Sequence, residues 1–103
     1  MPIPTNPQFP LVHTNGTSAE ELLEQQCDVA GALRNALAVM VARGPNARDY
    51  YPLDADAFTR ARHQHYDRCA KVSSVLAEVD RLAEYLASDP HEQLSMRQGV
   101  PRA

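Results

Sequence analysis

The chain has 103 residues, a net charge of −3 at pH 7, 44% apolar residues and no Trp. That length suits one domain. With 6% aromatics and many alanines, a deep single-chain core is not expected, and the mild acidity argues against a dedicated nucleic-acid binder. No run of 18 apolar residues occurs, so no helical membrane span is expected.

Residues 1–13 carry prolines at positions 2, 4, 7 and 10. Proline fixes φ and donates no backbone hydrogen bond, so this segment reads as an extended arm. Phe9, Leu11 and Val12 give it apolar side chains with which to dock. The segment lacks a charged n-region followed by an apolar stretch, so no secretory signal is expected.

"HTNGTSAEELLEQ" marks a helix start. Asn15-Gly16 is a turn dipeptide. Ser18 with Glu21 fits a capping box, as does Thr17 with Glu20 one residue earlier. Glu20, Glu21 and Glu24 suit the positive end of the helix dipole. The first helix is predicted over about 19–43, with Arg43, Gly44 and Pro45 as stop signals and Gly44 at the C′ position. Its apolar face collects Leu22, Leu23, Val29, Ala30, Leu33, Ala36, Leu37 and Met40.

A second helix is predicted over about 55–87, capped by Asp54 or Asp56. Phe58, Arg62, His65, Cys69, Val72, Leu76, Val79, Ala83 and Leu86 follow one another at alternating spacings of four and three. That is the a/d rhythm of a coiled-coil seam. Asp89 as cap and Pro90 at the first helical position allow one more short helix within the tail, residues 88–103. The chain should be loose after Gln98.

Chemistry-bearing residues are few and scattered. Cys27 and Cys69 fall on different helices. Cys69 is on the seam, and Cys27 lies about 110° from the centre of the first helix's apolar face. Two reduced thiols are expected rather than a disulfide. His65 and Cys69, four apart, share a face, but His63 points elsewhere and no third ligand converges, so no metal is expected. Arg60, Arg62, Arg68 and Lys71 make the front half of the second helix basic. Asp54, Asp56 and Asp67 dilute that charge, and a solvated face or an acidic protein partner fits better than phosphates. Nine of the ten basic residues are Arg; genome composition explains this, with bidentate interface contacts as the functional alternative. No nucleophile motif or phosphate-binding loop appears, and a hairpin offers little concavity. No enzymatic activity, cofactor or small-molecule substrate is therefore expected.

The connection "GPNARDYYPLDADAF", residues 44–58, is longer than the two to eight residues usual between helices. Pro45-Asn46 favours a turn. Tyr50 and Tyr51 are neighbours on an extended segment, so their rings should point opposite ways. One should close the hairpin near Phe58 and the other face out as a binding anchor. The alternative is that both rings form a local mini-core.

"HTNGTSAEELLEQ", "PNARDYYP" and the Ala61–His65 step together resemble a group of small uncharacterised proteins encoded in phages and prophages. The resemblance covers residues 13–87 and brings no catalytic residues. It implies a phage context, in which a small helical protein is a virion component or a host-directed accessory factor.

The expected fold is all-α: an antiparallel two-helix hairpin, coiled-coil-like, with an extended N-terminal arm (1–13) and a loose C-terminal tail. Two helices cannot cover all of each other's apolar surface, so oligomerisation or a partner should complete the fold. The expected role is a structural or interaction protein, a minor component of a phage particle in its head or connector assembly. A small regulatory binder acting through the Tyr50/Tyr51 loop is the alternative, and a nucleic-acid accessory factor the third reading. Residues expected to meet a partner are Arg48, Tyr50 and Tyr51 in the loop, Phe9 and Leu11 in the arm, and Arg60 and Arg68 on the second helix. The expected location is the virion or host cytoplasm, with no secretion.

Overall fold

The structure is a computed structural model that describes residues 7–98. Pro2, Pro4 and the tail after Gln98 lie outside the described residues. Among the described residues three α-helices form: α1, Ala19–Ala42; α2, Ala57–Ala87; and α3, Pro90–Arg97, with a 3-10 turn at Ala47–Asp49 between α1 and α2. Arg34 reaches Asp80, and Gly44 lies beside His65. Residue numbers therefore rise along α1 as they fall along α2, and the two helices are antiparallel. The molecule measures 62 × 25 × 21 Å, with a radius of gyration of 18.9 Å. A compact chain of this length would have about 13 Å, so the hairpin is a rod.

Local chemistry sets the helix ends. The Ser18 hydroxyl accepts from the Glu21 amide at 3.2 Å, the first half of the capping box. Asp89 accepts from the Glu92 amide at 2.8 Å and opens α3, with Pro90 in its first turn. The α2 start differs from expectation. Asp56 is its N-cap but makes no side-chain capping bond. The Asp54 carboxylate instead takes the Asp56 amide at 3.0 Å and both guanidinium nitrogens of Arg60. At the α1 end Arg43 is the C-cap and Gly44 follows it at C′, as expected. The Arg43 amide donates to the carbonyls of Val39 and Met40, and Gly44 has no positive φ. A Cβ at Gly44 would meet the His65 ring at 3.4 Å, an ordinary contact.

The seam of α2 follows the four-three series. His65, Val79 and Leu86 are buried, and Phe58, Cys69, Val72, Leu76 and Ala83 are half-buried. Arg62 is the exception; its guanidinium swings over the Phe58 ring at 5.5 Å. On α1, the less exposed residues are Ala19, Leu22, Leu23, Gln26, Ala30, Leu33, Leu37 and Met40, all but Leu22 at spacings of four and three. Ala30 is only 3% exposed; its small side chain lets the helices approach closely. Val29 and Ala36, expected on this face, are exposed. Both cysteines are free thiols, Cys27 exposed and Cys69 with its sulfur 3.6 Å from His65 Nε2.

At the far end from the loop, the arm doubles back on its own hairpin. Phe9 stacks on Tyr85, which is fully buried. Arg97 of α3 hydrogen-bonds the Tyr85 hydroxyl, and its guanidinium lies 5.9 Å from the ring centre. Gln93 donates to the carbonyls of Tyr85 and Ser88, each at 3.0 Å, which covers the carbonyls left open at the end of α2. Phe9, expected to meet a partner, lies in this structure against the chain's own Tyr85.

Candidate interaction surface

The loop between α1 and α2 is a chain of short turns. The Asn46 carbonyl side chain accepts from the Arg48 amide at 3.1 Å, an Asx turn that starts the 3-10 segment. The amides of Tyr50 and Tyr51 both donate to the Ala47 carbonyl, and the Leu53 amide donates to that of Tyr50. Asp54 and Arg60 then clamp the exit into α2 with contacts of 3.0 and 2.8 Å. The backbone is thus held by its own hydrogen bonds, and the length of the loop goes into shape. The Asp54 carboxyl is held below its ordinary pKa, first by the Arg60 guanidinium and then by the Asp56 amide.

The two tyrosines part company. Tyr50 is half-buried, its ring 6.3 Å from that of Phe58 and tilted by 47°. It closes the open end of the seam. Tyr51 is 81% exposed, and Leu53 beside it is 63% exposed. Two large apolar side chains therefore stand out from a fixed tip. Leu53 is a surface residue that sequence reasoning passed over; its position after Pro52 in a turn-rich segment was the available signal.

The remaining expected contact residues are dispersed. Arg48 is exposed on the 3-10 turn, close in sequence to Tyr51. Arg60 is occupied by Asp54, and Arg68 is exposed two turns further along α2. Leu11 is exposed at the opposite end of the rod, on the edge of a groove of about 390 Å³ that Val12, Leu86 and Pro90 help to line. The structure thus brings Arg48, Tyr50 and Tyr51 together at one end and leaves Phe9 and Leu11 at the other. Among the described residues, no three His, Cys, Asp or Glu side chains come together as metal ligands. No helix among them is long and apolar enough to cross a membrane.

A second exposed surface runs along α1. Between Val29 and Ala42 the sole charged residue is Arg34, and both its bonds, 2.8 and 2.7 Å, go to Asp80. The outward positions of this stretch are otherwise Val, Ala, Gly and one Asn. A solvated helix normally carries charge on its outer face; this one is neutral over four turns. No family model, curated protein or solved structure matches the chain.

Proposed function

We propose that the protein is a non-enzymatic interaction module: a stiff helical rod that presents a protein-binding tip. The observation that carries this reading is the exposure of Tyr51 and Leu53 on a backbone fixed by Asn46, Asp54 and Arg60. A tyrosine held on a rigid turn loses little freedom on binding and offers apolar area with a polar end, which is what binding anchors need. Arg48 adds a guanidinium close by for a carboxylate on the partner.

The resemblance of residues 13–87 to phage-encoded proteins supplies the setting: a minor component of a phage particle, in its head or connector assembly. Mass spectrometry of purified particles tests it. Recovery of the chain at a fixed ratio to the major particle proteins is the expected result. Its presence in the lysate and absence from particles would instead favour a small regulatory binder that engages a host protein through the same tip.

A further inference from the structure

We infer that the flank of the hairpin formed by Val29, Ala32, Ala36 and Val39 of α1 and Val75 of α2 is covered by a second copy of this chain, lying antiparallel to the first. This inference does not depend on the tip or on a phage setting.

The flank is defined by geometry. At about 100° per residue, Val29, Ala32, Ala36 and Val39 fall within about 80° of one another on α1. They lie on the side of the helix pair opposite the Arg34–Asp80 bond. Val75 and Leu82 are on the same side of α2. Val39 is 57% exposed and Val75 is 48% exposed, so a single chain leaves this apolar strip in water.

Its size suits a stable dimer. α1 has 24 residues and spans about 36 Å, and two packed helices present a width of about 20 Å. The flank therefore offers about 700 Å² per copy, close to the roughly 800 Å² per partner of a standard interface.

Charge selects the occupant and its direction. The loop half of the rod carries Arg43, Arg48, Arg60, Arg62, Arg68 and Lys71 against Asp49, Asp54, Asp56 and Asp67, a net of two positive charges. The arm half carries nine carboxylates against Arg34, Arg81 and Arg97, a net of six negative charges. On the flank itself, Asp28 and Glu78 lie towards the acidic half, and Arg43, Arg68 and Lys71 towards the basic half. A parallel copy would place like on like. An antiparallel copy places each basic half over an acidic one, with the neutral strip between. A two-fold axis between Asn35 and Ala36 brings Arg43 level with the partner's Asp28 and leaves Val29 about three residues, roughly 4.5 Å, out of level with the partner's Val39. The product is a four-helix bundle with a second apolar layer.

Sedimentation equilibrium on the full chain tests this. The expected species has twice the 11.4 kDa chain mass. Val39→Glu and Val75→Glu should each weaken dimerisation by at least about tenfold, because each buries an unpaired carboxylate. Val41→Glu is the control: Val41 is more exposed, at 68%, but faces the other flank, and its variant should dimerise as before. Circular dichroism checks that helicity is kept. Should a Glu variant lose helicity, the paired Val39→Ala and Val75→Ala chain takes its place. Arg43→Glu should weaken the dimer, and Asp28→Arg in the same chain should restore it. A chain that stays monomeric to about 100 μM, or a dimer untouched at Val39 and lost at Val41, overturns the inference. Failure of Asp28→Arg to restore Arg43→Glu overturns the antiparallel arrangement.

Discussion

Phe9 lies parallel to Tyr85, with ring centroids 4.5 Å apart and planes within 1° of each other. The contact joins the arm to the last turns of α2, 76 positions along the chain. It changes what the arm does. Tyr85 stands outside the four-three series of the α2 seam, yet it is fully buried. Phe9 on one side and Arg97 on the other remove it from water. Phe9→Ala should therefore destabilise the chain by about 1–3 kcal/mol, the lost burial of a partly exposed aromatic plus its stacking. Urea denaturation followed by circular dichroism measures this. An arm with no part in the fold would leave the midpoint unchanged.

The contact also shows what could not be read from sequence. The α2 seam was legible because one uninterrupted four-three series picks out a single face. Tyr85 was not, because its burial depends on two segments far away in sequence and is invisible to periodicity. α1 was legible in part. Its second half, "VAGALRNALAVMVA", has apolar residues at spacings that define two stripes, one through Ala30, Leu33, Leu37 and Met40 and one through Val29, Ala32, Ala36 and Val39. Periodicity cannot choose between them. Burial chooses the first, and the merged face drawn from sequence wrongly included Val29 and Ala36. At the loop, opposite facing of Tyr50 and Tyr51 was expected from an extended segment. The rings do part, but on a chain of turns with Tyr50 in helical backbone, so the expected reason does not hold, and Leu53 needed the turn at Tyr50 to be seen.

The tightest point of the hairpin should be the least tolerant of bulk. Ala30 is almost fully buried between the helices. Ala30→Leu adds volume where there is none, at a cost of about 1–3 kcal/mol. Leu86→Ala, a cavity on the α2 turn next to Ala30, should cost about 2–5 kcal/mol. Thermal unfolding of both variants checks the register. If Ala30→Leu is neutral while Ala36→Leu is costly, the α1 face has been assigned to the wrong stripe.

The Asp54–Arg60 clamp gives a pH dependence with a defined sign. Asp54 has a lower pKa in the folded chain than its ordinary value, because Arg60 and the Asp56 amide favour the carboxylate. Its contribution to folding is therefore complete above the unfolded-state pKa and is lost as pH falls through the folded one. Both groups are on the surface, so the effect should be small and weakened by salt. Asp54→Asn should flatten the acid limb of the stability profile relative to the parent and match it near that limb's lower end. An unchanged acid limb would show that the clamp contributes nothing in solution.

Tyr50 and Tyr51 offer the cleanest separation of folding from recognition. Tyr50 packs beside Phe58 and closes the seam, so Tyr50→Ala should lower the melting temperature, with a loss of about 1–3 kcal/mol for a partly buried aromatic. Tyr50→Phe keeps the ring and should be close to neutral. Tyr51 touches solvent over most of its surface, so Tyr51→Ala should melt like the parent. If the tip binds a partner, that same variant should lose about 2 kcal/mol or more of binding free energy, and Leu53→Ala should lose part of it. Capture of the partner from particles or from host lysate, followed by titration of each variant, gives the comparison. The decisive pattern is one variant that melts early and still binds once cooled, beside one that melts normally and fails to bind at any temperature. Two early-melting variants with binding intact in the cold would make the tip a structural closure and remove it as the partner site.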